Sequence, residues 1–212
     1  MNNNTNEQTT TSGNGQNATP VRDYRPNLTL YHANSKGSGS AVRFEVVPAT
    51  GSRDGAIYMT LAQQMSTASG SREQGNRQHA RFDWQNRVTV KLNFSDLCQM
   101  IPVFKGASPN VGEGKGLYHD SRSHVTMIKL AFQKEPTPGY FLEVSRRAKA
   151  GPEPAARIWI VFNAAEAYGL GAVLEQALGY IAFGIPQKPR SGMMPPPSAP
   201  EDDPAEDDAQ EG

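Results

Sequence analysis

Only one cysteine, Cys98, occurs in the 212 residues. With no second thiol there is no intramolecular disulfide, and the chain contains neither a CxxC pair nor a Cys/His zinc spacing. A reducing compartment, the cytoplasm, is the expectation. No apolar run approaches the ~20 residues that a membrane-spanning helix needs, so no membrane partner is expected. The opening MNNNTNEQTTTSGNGQNATP lacks the apolar heart of a signal peptide and the Arg-rich amphipathic character of a transit peptide. Catalytic patterns are also scarce. His119, Asp120 and Ser121 are adjacent, and consecutive strand residues point to opposite faces, so they form no nucleophilic triad among themselves. The glycine-rich string at 112–116, GEGKG, lacks the GxxxxGK[ST] spacing and leads from a helix into a strand rather than the reverse. The expectation is a protein without enzymatic activity, cofactor or metal.

One sign of charge is missing from the C-terminus. Between residues 191 and 212 there are seven acids and no base. The formal net charge of zero therefore hides a segregation: residues 1–190 hold 21 bases against 14 acids, a net of about +7, and such asymmetry points to nucleic acid or a membrane surface. Residues 1–27 are polar and of low complexity, and 187–212 are Pro-rich and then acidic. Neither can bury enough apolar surface to fold, so both are expected to be disordered around one domain at 28–186.

Hydrophobic period divides that domain. The stretch 81–105, RFDWQNRVTVKLNFSDLCQMIPVFK, reads as one long strand passing into a helix: Phe82, Trp84, Val88, Val90 and Leu92 alternate with polar residues, and Leu97, Met100 or Ile101, and Phe104 follow at helical spacing. Ser95 is the expected N-cap. Upstream, LTLYH at 28–32, AVRFEVV at 41–47 and the alternation through Ile57, Met59 and Leu61 read as strands, with a hairpin signal at Asp54-Gly55. Residues 66–80 form a polar loop, expected to be mobile, and 106–116 a flexible linker. Downstream, LYHDS, HVTMIKLAFQK, YFLEVSRR and ARIWIVF are strands, and Asn163 with Glu166 three positions on opens a helix. Its apolar stripe runs through Leu170, Val173, Leu174, Ala177, Leu178 and Ile181, and Gly184 stops it. The predicted fold is α+β, two antiparallel four-stranded sheets each followed by a helix (ββββα-ββββα), a repeat of topology rather than of sequence. Gly169, Gly171 and Gly179 weaken the last helix, which close helix packing, within or between subunits, would explain.

Lys36, Arg43, Arg87, Lys91, Lys129, Arg146 and Arg147 lie on or beside predicted strands, and Tyr58 interrupts a polar face. Cations that track a phosphate backbone, together with aromatic faces on which bases stack, are what a single-strand binder requires. The other reading is a set of solvated sheet faces. Trp84 and Trp159 share their strand segments with aliphatic residues and are assigned to the core.

The stretch 81–101 resembles the strand-helix segment of the Whirly family of single-stranded-DNA-binding proteins, in which Tyr-Asp-Trp-Glu-Lys-Arg precedes an apolar strand and a Ser-initiated helix; here the string is FDWQNR. KGSGSAV at 36–42 is similar to the family's Lys-Gly-Lys-Ala-Ala-Leu motif, with insertions and without the second lysine. LYHD at 117–120 matches its Tyr-His-Asp string, and residues 134–144 and 165–184 resemble its later segments in the right order. The resemblance implies two roughly perpendicular four-stranded sheets, helices at the centre of a homotetramer or higher oligomer, and binding of single strands without strong sequence preference across the sheets of neighbouring subunits. It makes Lys36 the motif lysine, with Ser38 and Ser40 beside it. The implied function is single-stranded-DNA binding in replication, recombination or repair. RNA binding is the alternative, since kinetoplastid guide-RNA-binding proteins have a similar fold, and a scaffold acting through its acidic tail is another. The tail at 201–212 would compete for the basic face, recruit protein partners or only solubilise. A bacterial or mobile-element origin is the expectation, because the plant members are organellar.

Overall fold

Residues of alternating polarity pair into two antiparallel sheets, each continued by a helix. The computed structural model describes residues 27–186 except 72, 74, 136 and 153. The segments expected to be disordered, 1–27 and 187–212, lie outside the described residues apart from Asn27, which opens the first strand.

The first sheet contains β1 (Asn27–His32), β2 (Ser40–Val47) and β3 (Ala56–Ser66), hydrogen-bonded in that order; β4 (Arg81–Phe82) and β5 (Val88–Leu92) both pair with β3. The second sheet runs β6 (Leu117–Asp120), β7 (His124–Gln133), β8 (Gly139–Ala148) and β9 (Ala156–Phe162) in sequence order. Helix α1 (Phe94–Phe104) follows the first sheet and α2 (Ala164–Phe183) the second. The fold class expected from the sequence is the one observed.

Several local expectations change. The long strand at 81–92 is broken, because the Asp83 carboxylate accepts hydrogen bonds from the backbone N–H groups of Gln85 and Asn86 and from the Asn86 side chain. These bonds hold the Asp83 pKa below the usual carboxylate range, the Asn86 side chain contributing most. They also close a turn that no continuous strand can contain. Asn93, not Ser95, caps α1: its side chain accepts from the Asp96 N–H at 2.9 Å while Asp96 accepts from the Asn93 N–H at 2.9 Å. The hairpin between β2 and β3 turns within the turn segment expected at 50–55, at Gly51-Ser52 rather than at its Asp54-Gly55 signal, flanked by reciprocal Thr50–Arg53 backbone bonds of 2.8 and 3.1 Å. Gly55 is needed for another reason, since a Cβ there would lie 2.4 Å from the Ile181 Cα of α2. The polar loop is tied across its neck by Ser69 and Gln78. The linker is tied to β7, with the Val111 N–H donating to the Leu130 carbonyl at 3.0 Å and the Val111 side chain buried.

One apolar core joins everything. Val42, Phe44, Met59, Leu61, Val90 and Leu92 face it from the first sheet, Ile128, Leu130, Leu142, Val144 and Ile160 from the second, and Leu97, Met100, Phe104, Leu170 and Leu174 from the helices. Phe104 and Phe162 meet edge to face at 5.8 Å. The α2 stripe is buried as expected at Leu170, Leu174, Ala177 and Ile181, partly buried at Leu178 and half exposed at Val173. Of the three helical glycines, only Gly171 packs closely, with a Cβ there falling 2.7 Å from Lys105 of α1; beside Gly169 and Gly179 the space is open.

The halves are crossed at their helix starts. His32 at the end of β1 bonds the Glu166 carboxylate of the α2 capping box at 3.0 Å, and His119 of β6 bonds Asp96 of the α1 capping box at 3.0 Å. Each half thus sends a histidine to the other half's helix. Leu-Tyr-His occurs at 30–32 and again at 117–119, so the repeat does leave a trace in the sequence.

Candidate nucleic-acid interface

Because β-strand side chains alternate, every residue directly opposite Arg43 across the first sheet shares its face. Thr29, Arg43, Thr60 and Thr89 form one such row, and Asn27, Glu45, Tyr58 and Lys91 the next. This is the sheet face turned away from the helices. On it Arg43, Glu45, Tyr58, Thr60, Arg87 and Thr89 line an open groove of about 600 Å³ walled by Trp84. Four of the sequence candidates, Arg43, Tyr58, Arg87 and Lys91, therefore belong to a single surface.

The turn that broke the expected strand builds that wall. Trp84 leaves the strand alternation at the Asp83 turn and stands half-buried beneath Arg43, whose guanidinium carbon lies 4.5 Å from the ring centroid. The exposed Tyr31 meets Trp84 edge-on at 6.4 Å, and Arg87 donates to the Trp84 carbonyl at 2.7 Å. A guanidinium held over an indole is attracted by the ring quadrupole and loses the freedom of a solvated arginine. The Arg43 Nε is buried and has no hydrogen-bond partner among the described residues. Trp84 is thus part of the groove and not of the core.

Lys36 sits on an exposed loop whose base is fixed by Gln64. The Gln64 amide oxygen accepts from the N–H groups of Asn34 and Gly39 at 2.9 and 3.0 Å, and its amide nitrogen donates to the carbonyls of Asn34 and Ser66. Gly39 has no room for a side chain, since a Cβ would fall 2.1 Å from the His32 carbonyl oxygen. Asn34 continues the ordering, accepting from the N–H groups of Lys36 and Ser38 and donating to the Ser38 hydroxyl. Ser38 is therefore a loop-shaping residue at the surface. Ser40 is buried, its hydroxyl donating at 2.5 Å to the Trp159 carbonyl, which ties β2 to β9.

The remaining candidates separate. Lys129 and Arg147 lie on the outward face of the second sheet, Lys129 opposite Glu143 and Arg147 opposite Val125. Arg146 lies on the inward face: it donates to the Thr126 hydroxyl at 3.2 Å and to the Thr89 carbonyl of β5, joining the two sheets, and burial lowers its pKa. Trp159, assigned to the core from the sequence, points outward, 46% exposed and stacked on Phe141 at 5.9 Å. It shares its face with Arg157, which donates to the buried Glu143 at 2.6 Å. The spacing of Arg157 and Trp159, two apart on one strand, carried that signal; for Gln64 no sequence signal existed.

Among the described residues no group of three His, Cys, Asp or Glu side chains could hold a metal ion. Asp120 pairs with Lys149, and the Ser121 hydroxyl donates to the His124 carbonyl, so the adjacent His119, Asp120 and Ser121 have separate partners. No helix of the described residues is long and apolar enough to cross a membrane.

No protein-family model matches the chain, and no curated protein matches it. The crystal structure of WHY1 from Arabidopsis thaliana is similar over 73% of this chain and 91% of that one, at 18% identity and a TM-score of 0.47. That of WHY3 from the same plant is similar over 72% and 88%, at 17% identity and a TM-score of 0.46. The fold of the chain itself is two antiparallel sheets, each followed by a helix.

Proposed function

We propose that this chain is a non-enzymatic protein that binds single-stranded DNA largely without regard to sequence, serves replication, recombination or repair, and acts as a homo-oligomer. The observation that carries the reading is the groove in which Arg43 lies over Trp84, with Tyr58 and Arg87 on the same face. Cations there can follow phosphates, while ring faces accept bases of any identity, each stack contributing about 1–3 kcal/mol. Lys36, on its ordered loop, extends the cationic path. The basic balance of residues 1–190 supports the same polyanionic partner.

Self-association is supported by α2. Its outer side exposes Tyr168, Val173, Tyr180 and, 91% exposed, Phe183, with open space beside Gly169 and Gly179. An apolar helix side of this kind is suited to packing against a second copy, and the family resemblance makes a homotetramer the expected size.

Anisotropy of labelled dT oligonucleotides tests the reading. Wild type should bind at moderate salt, with log K falling linearly in log salt, and the double variant Lys36→Ala, Arg43→Ala should bind at least tenfold more weakly with a shallower slope. No binding by wild type would overturn it, and stronger competition by matched rU would move the reading to RNA. Deleting the residues after Ser191 should raise affinity at low salt if the acidic tail competes for the groove; unchanged affinity across the salt series would remove that role.

A further inference from the structure

We propose that the groove of the first sheet contains a subsite for guanine, formed by Glu45, Arg43 and Tyr58; this rests on the single-strand reading above and names the base preferred at one position. The starting point is an anomaly of charge. Glu45 is half-buried in a groove otherwise supplied with cations, and a carboxylate there repels phosphate. No hydrogen bond or ion pair reaches its oxygens among the described residues. Arg43, two residues away on the same face, is directed over Trp84 and does not pair with it. The Glu45 carboxylate lines an open groove with no protein donor on it, so a ligand that brings donors competes only with water for it.

The donors that fit are those of a guanine edge. Read along that edge, guanine presents the 2-amino group and N1–H side by side, then O6 and N7. A carboxylate takes the two donors together, and an arginine takes the two acceptors. Glu45 and Arg43 stand in that order along β2, about 6.7 Å apart at their backbones, as residues two apart on one strand are. Adenine and cytosine place a ring acceptor beside their amino group, which the carboxylate repels; thymine offers one N–H between two carbonyls. Tyr58, directly opposite Glu45 on β3, supplies a ring at the distance of a cross-strand neighbour, close enough to flank the base. Binding elsewhere stays tolerant because stacking and phosphate contacts do not distinguish bases.

The test compares a dT oligonucleotide with versions carrying a single central dG, deoxyinosine or dA, titrated into wild type and Glu45→Gln. The near-isosteric Glu45→Gln keeps the fold, checked by circular dichroism. Wild type should prefer the dG strand about tenfold over the all-dT strand. Deoxyinosine, which lacks the 2-amino group, should lose most of that gain. Glu45→Gln should abolish the dG preference. Equal affinity for all four strands, or a dG preference that survives in Glu45→Gln, would overturn the guanine assignment alone. Failure to bind any strand would overturn the single-strand reading as well. Binding of free GMP as tight as that of the dG strand would assign the subsite to a nucleotide ligand and overturn its place in strand recognition.

Discussion

Gln64 does more for the candidate interface than its position at the end of β3 suggests. The residue is 6% exposed, and its amide makes four hydrogen bonds, three of them to the loop that carries Lys36. Replacing it with leucine leaves the N–H groups of Asn34 and Gly39 without an acceptor, and a buried unsatisfied group costs about 1–3 kcal/mol. Gln64→Leu should therefore lower the urea midpoint by an amount equivalent to about 2 kcal/mol and weaken dT binding through disorder of the Lys36 loop. Gln64→Glu keeps the acceptor but sets a buried carboxylate oxygen against the Asn34 and Ser66 carbonyls, so it should restore neither. Arg146 shows the opposite outcome at the same scale: a cation that sequence pattern assigns to binding instead joins β8 to β5, because its strand position faces inward.

At the scale of elements, the helix starts are where the two halves depend on each other. Each capping box closes two backbone donors, and its acid also receives a histidine from the opposite half. Asn93→Ala and Asn163→Ala should each cost about 1 kcal/mol in denaturant unfolding, with a single cooperative transition retained because α1 and α2 share one core. The Asp83 turn is the other decisive element. By ending β4 after two residues it takes Trp84 out of the sheet alternation and sets it against Arg43.

For the molecule as a whole, the surface proposed for self-association, the outer side of α2, is separate from the groove proposed for binding, formed by β2, β3 and β5. Val173→Glu with Phe183→Glu should reduce the sedimenting species to a monomer while leaving the fold intact, since both side chains are exposed in the single chain. Tight binding that also falls in this variant would mean that a long strand engages several subunits at once, whereas short oligonucleotides should be affected little.

Strand and helix order, the Asn163 cap, the core-facing aliphatic residues of the first sheet and the charge asymmetry were legible in the sequence. They follow from local period, local capping chemistry and composition, which need no knowledge of distant contacts. Tertiary structure decided the rest. Whether an alternating residue faces water or the core depends on which side of the sheet the helices cover, so Trp159 faces outward and Arg146 inward, the reverse of the sides that pattern assigned them. Which of two nearby caps starts α1, and where the strand at 81–92 breaks, depended on side chains competing for backbone N–H groups, a competition that Asn93 and Asp83 won. The groove itself exists only because β2, β3, β5 and the Asp83 turn are adjacent in space and not in sequence.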